Sequence, residues 1–186
     1  DLQLMAEGKE LARANPLRVV VAASLRRYWA DLHGQSGETI GMGSAEAYFR
    51  YARDYAFVDM VGHQGNDFQI TTAFWDELNR LCREFNAPGR FVTMPGYEYS
   101  PVTALGGDRN IYFFDEGRPI RRSSHALVED VSDIDTDCNH VNELFQALRA
   151  AGESALAFAH VGGRFADLRA GHDGAATGPG GDVRER

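Results

Sequence analysis

Between Arg27 and Ala159 short apolar runs alternate with amphipathic segments, and this alternation constrains the fold more than any other feature of the chain. Arg27 to Leu32 (RYWADL), Phe57 to Val61 (FVDMV), Phe91 to Met94, Asn110 to Phe114 and Ala155 to Ala159 (ALAFA) read as strands, each followed by Gly, Pro or a polar residue. Tyr48, Phe49, Ala52 and Tyr55 recur at helical spacing behind a candidate N-cap at Ser44. Phe74, Leu78, Leu81, Cys82 and Phe85 do the same behind Thr71 or Thr72, either of which can cap that helix. Val141, Leu144, Phe145 and Leu148 form a third such face, stopped by Gly152. Strands alternating with helices predict the α/β class, with a mainly parallel sheet and helical crossovers. A full (β/α) barrel takes about 250 residues, so a barrel made from this chain is expected to be partial.

With 186 residues and 44% hydrophobic content, the chain suffices for one compact domain. Residues 1–26 read as a lead-in, 27–170 as the folded portion, and 171–186, rich in Gly, Ala and Pro without apolar period, as a disordered tail. A formal charge of −8 with scattered basic residues argues against a nucleic-acid groove, which needs a dense positive stripe, and favours a small substrate. Arg26-Arg27 and Arg121-Arg122 read first as solvated surface charge and second as contacts for an anionic group. No run approaches the ~18 uncharged apolar residues of a membrane span. Cys82 and Cys138 are far apart, making neither a disulfide framework nor a zinc-binding cluster, and the N-terminal residues lack a secretory pattern. A cytoplasmic location is expected.

In parallel α/β folds the catalytic groups collect at the C-terminal ends of strands. Here those ends carry His33, His63, Glu98 and His160, and Asp31, His33 and Gln35 share one face of the first strand. A single His at a strand end is more often structural than a ligand; four metal-capable ends together weigh against that reading. Imidazole and carboxylate donors suit manganese, zinc or iron, and such an ion activates water for attack on an ester. His125, His140 and His172 fall in a loop, a helix start and the tail and read as surface residues.

The segments DLHGQS, VGHQGND, PGYEYS, GGDRNIYF and AFAHVGG follow the order of the metal-binding motifs of the polymerase-and-histidinol-phosphatase (PHP) superfamily, which the chain resembles from Asn15 to Leu168. It is most similar to an uncharacterised PHP-related family with a GDLH-type first strand, a GYE segment and an HRN-type strand. The resemblance implies a distorted (β/α)7 barrel with two or three metals at its rim. It places His33, His63, Glu98 and His160 in successive motifs, with Glu98 as bridging carboxylate and Asp108 where the related family has a His before Arg109-Asn110. Gln35 replaces the second His of the usual HxH, Gly62 replaces an acidic residue, and the closing DxH is missing. The expected function is hydrolysis of a phosphoester or similar ester by metal-activated water. His33, Gln35, His63, Glu98, Asp108 and His160 are the candidate ligands, and Arg109 and Arg164 the candidate contacts to a small anionic substrate. The alternative is a truncated or degenerate module without activity. The strand edges of an unfinished barrel would favour a homo-oligomer.

Overall fold

The structure, a computed structural model, describes residues 3–13, 25–102, 107–160 and 183–185. Within the lead-in, β1 (Gln3–Ala6) and β2 (Lys9–Arg13) form an antiparallel hairpin. Its turn holds Glu7 and Gly8 at positive φ, 48° and 75°, as the tight hairpin turns that match strand twist require.

The next part follows the α/β expectation. Strands β3 (Ala30–Gly34), β4 (Met60–His63) and β5 (Val92–Met94) lie parallel in that order, joined by helical crossovers. Helix α1 (Ala45–Tyr51) starts where the Ser44 hydroxyl accepts the Ala47 N–H at 3.1 Å. It continues into a π-helical turn, Ala52–Ala56, that stops at Phe57 in the left-handed region. The strand expected from Phe57 therefore begins later, at Met60. Helix α2 (Thr72–Phe85) is capped by Thr71, whose hydroxyl accepts the Phe74 N–H at 3.1 Å, and buries Phe74, Trp75, Leu78, Leu81, Cys82 and Phe85.

The alternation then breaks. Only Pro95 separates β5 from β6 (Gly96–Tyr99), whereas a parallel crossover needs a dozen or more residues. The chain instead starts a second sheet, ordered β6-β7-β8-β9, with β7 (Arg109–Phe113), β8 (Ala155–Ala159) and β9 (Val183–Glu185). Its first three strands are antiparallel and its last pair parallel. The expected partial, distorted (β/α)7 barrel does not form: a three-stranded parallel sheet stands beside a four-stranded mixed one, and neither closes. β9 falls in the stretch read as tail, whose other residues lie outside the described ones.

Helix α3 (Val141–Ala150) precedes β8 and is capped by His140. The His140 ring accepts the Asn142 N–H, and Glu143 reaches back to the His140 N–H, both at 3.1 Å, a capping box in which imidazole takes the place of a hydroxyl. Side chains alternate across strands, so Tyr97, Tyr99, Ile111, Phe113, Ala155 and Ala157 share one face of the second sheet, all fully buried in the core with α2 and α3. Each fully buried Leu of that core, such as Leu78 or Leu148, contributes roughly 1.5–3 kcal/mol. The sheet's other face carries polar groups and meets β3, where the Tyr112 hydroxyl bonds the Leu32 carbonyl. No described helix is long and apolar enough to cross a membrane.

Candidate metal centre

Strand parity places Glu98, Asp108, Asn110, Phe158 and His160 on one face of the β6-β7-β8 sheet, opposite the core. Glu98 pairs directly with Asn110 and Asn110 with Phe158. The His160 N–H bonds the Asp108 carbonyl at 3.0 Å, continuing the β7-β8 ladder by one step. The Glu98 N–H bonds the Gly65 carbonyl at 2.9 Å, so β6 is tied to the end of β4 and Glu98 faces the C-terminal end of β3.

Three of the expected residues meet there. His160 Nδ1 lies 2.9 Å from Glu98 Oε1 and His33 Nε2 lies 3.5 Å from Glu98 Oε2. The two imidazole rings are 4.3 Å apart, and one donor atom from each residue falls within 4.8 Å of the others. Two ligands about 2.1 Å from one ion at a tetrahedral angle sit about 3.4 Å apart, so these separations fit a shared cation with small side-chain adjustments. Glu98 is only 4% exposed, and a carboxylate so buried needs positive charge or hydrogen bonds around it. A cavity of about 420 Å³ opens on the group, lined by Asp31, Leu32, His33, Asn110, Phe158 and His160 among others. A larger recess of about 560 Å³, near Arg53, Phe57 and Arg90, lies away from these donors, so size alone does not mark the site.

His63 is not part of this trio. Its Nδ1 accepts the Gly65 N–H at 3.2 Å, which leaves the proton on Nε2, and Nε2 bonds the Ser36 hydroxyl at 2.8 Å. Burial pushes its pKa down to about 4, with His33 adding to the effect and Glu38 opposing it. A neutral ring with both nitrogens engaged braces the β3-α1 loop against β4. Gln35 is likewise committed: its carbonyl accepts the Thr39 hydroxyl at 2.9 Å, and its amide N–H reaches Asn66 Oδ1 at 3.4 Å. Asp108 is buried on the site face but is not among the converging donors.

Arg109 sits at 0% exposure on the opposite, core-facing parity and donates to the Asp108 carbonyl at 3.0 Å. Arg164 and His172 lie outside the described residues. The pair Arg121-Arg122 is corrected from solvated surface charge: both are buried, Arg121 bonded to Glu153 at 2.9 Å and Arg122 to Asp133 at 2.8 Å and the Ile70 carbonyl at 2.9 Å. His125 holds the same loop together, bonding Asp137 and the Asp130 carbonyl at 2.8 Å each. Nearby Asp67 is fully buried, and burial raises its carboxyl to about 7 against hydrogen bonds from Ser123, Phe68 and Ser100. Sequence reasoning missed Ser36, the partner of His63, and Asn110. The two-residue step from Asp108 to Asn110 along a strand was the available signal for the second.

The histidine–carboxylate cluster thus lies where the two larger sheets meet. The chain belongs to the family described as "Protein of unknown function (DUF3604)", whose profile matches residues 4–164. An uncharacterized protein of Chlamydia pneumoniae is 26% identical over 105 residues, covering 55% of this chain and 17% of that relative. The chain thus spans less than a fifth of the curated relative's length. No solved structure matches.

Proposed function

We propose that this chain holds one divalent transition-metal ion, manganese, zinc or iron, through His33, Glu98 and His160, and that the site serves hydrolysis of an ester, with phosphoesters the first class to test. The observation that carries this reading is the convergence of two imidazoles on a buried carboxylate beside a cavity of about 420 Å³. The PHP-like order of the motifs containing His33, Glu98 and His160 supports the same chemistry. When bound, such an ion lowers the pKa of its water toward about 7. The protein's part is to supply the Glu98 charge from a buried position, to keep His33 half-open to the cavity, and to limit water there with Leu32 and Phe158. Of the two arginines expected to contact an anionic group, Arg109 is turned to the core, which leaves that role to Arg164. Buried, free Cys82 and Cys138 suit a reducing compartment such as the cytoplasm.

A second reading, a module that binds an ion without turnover, is favoured by His63 and Gln35, whose polar atoms serve internal hydrogen bonds. The two readings separate in an assay of nitrophenyl phosphate mono- and diesters and nitrophenyl acetate with each metal. The first expects metal-dependent turnover that falls about 100-fold or more in Glu98→Gln. Metal binding without turnover of any of these esters supports the second, and absence of both sinks the two together.

A further inference from the structure

We infer that the Asn110 side-chain amide is a further donor to the ion held by His33, Glu98 and His160, its oxygen completing a four-residue set from β3, β6, β7 and the end of β8. This deepens the metal-binding reading above and rests on it.

Three observations converge on Asn110. It is the direct cross-strand partner of Glu98, so their side chains leave the sheet on the same face with Cβ atoms about 4.5–5.5 Å apart. It lines the cavity together with His33 and His160. It is only 5% exposed, and its Oδ1 is buried without a hydrogen-bond partner. A buried amide oxygen left unsatisfied costs about 1–3 kcal/mol, and native interiors retain such groups rarely and for a reason. The cross-strand neighbours do not supply the missing partner: Phe158 on one side is apolar, and Glu98 on the other is a carboxylate, whose oxygens accept hydrogen bonds. A cation between Glu98 and the two imidazoles would satisfy the amide oxygen as it stands. An amide carbonyl is a neutral oxygen donor, so it adds a ligand without the repulsion a second carboxylate would bring beside Glu98. It also raises the oxygen share of the donor set, which suits manganese better than ions that prefer thiolates.

The test is cobalt(II) titration, followed by the visible ligand-field spectrum and by thermal unfolding with and without metal, on wild type, Asn110→Leu, Asn110→Asp and Glu98→Gln. Asn110→Leu removes the unsatisfied amide at similar volume, so the metal-free protein should be as stable as wild type or more so. Its cobalt affinity should fall about tenfold, its ligand-field band should move, and metal should raise its melting temperature less. Asn110→Asp, which keeps an oxygen at the same place, should bind cobalt more tightly than Asn110→Leu, because the ion offsets the repulsion between the new carboxylate and Glu98. Cobalt affinity and spectrum unchanged in Asn110→Leu, while Glu98→Gln abolishes binding, would overturn the role of Asn110 and leave the His33-Glu98-His160 reading intact. Unchanged binding in Glu98→Gln would overturn that reading and this inference with it.

Discussion

The Tyr112 ring occupies the space above Gly62: a Cβ on Gly62 would lie 2.6 Å from the ring edge, and the Tyr112 hydroxyl bonds Leu32 on the neighbouring strand. Tyr112 thus fills the room that any larger side chain at position 62 would need. Gly62→Ala should therefore cost about 1–3 kcal/mol by overpacking, and Gly62→Asp more. With Tyr112→Ala as the second change, a double-mutant cycle in urea should give a coupling of at least about 1 kcal/mol. Additive effects would mean that Tyr112 does not hold that space.

His63 makes stability depend on pH in a defined direction. Its folded pKa is lowered to about 4 from an ordinary 6.5, so between those values the unfolded chain binds the extra proton. Stability is complete above about pH 6.5 and declines as pH falls toward 4, by at most about 3 kcal/mol at 1.36 kcal/mol per pH unit. Urea unfolding of wild type and His63→Gln across this range should show the slope in the first and its loss in the second. Equal slopes would put the proton elsewhere.

Arg122 fastens the loop before α3 to the turn before α2 through Asp133 and the Ile70 carbonyl. Arg122→Ala should destabilise the protein by about 3 kcal/mol, somewhat less if water reaches the half-buried Asp133. Phosphate affinity, measured by calorimetry, should not change, because this guanidinium is committed inside the fold. A loss of phosphate binding with stability intact would return Arg122 to the anion-contact role.

The elements that are legible in the sequence are those fixed by local chemistry. α2 follows from Thr71 and its apolar period, and β8 from the ALAFA run, both with little displacement. The β1-β2 hairpin was harder to read because its turn is Glu-Gly in place of the usual Asn-Gly or Asp-Gly. The second sheet escaped because Pro95 looks like a strand end, and only the pairing of β6 with β7 makes Gly96 a strand start. Arg121 and Arg122 read as surface charge because burial depends on Glu153 and Asp133, 32 and 11 residues away along the chain. At the site, His33 and His160 could be named from strand ends, whereas Glu98 stands inside β6, paired with Asn110 across an antiparallel ladder. That His63 and Gln35 spend their polar atoms on Ser36, Gly65 and Thr39 depends on loop geometry that no spacing encodes.

The most direct test of the account is metal stoichiometry and affinity measured by calorimetry with zinc and manganese on four proteins: wild type, Glu98→Gln, His160→Ala and His63→Gln. Wild type should bind roughly one ion per chain, Glu98→Gln and His160→Ala should bind at least about tenfold more weakly, and His63→Gln should keep its affinity while losing stability. Binding below about 0.1 ion per chain in wild type, or affinities indifferent to Glu98 and His160, would contradict the metal centre.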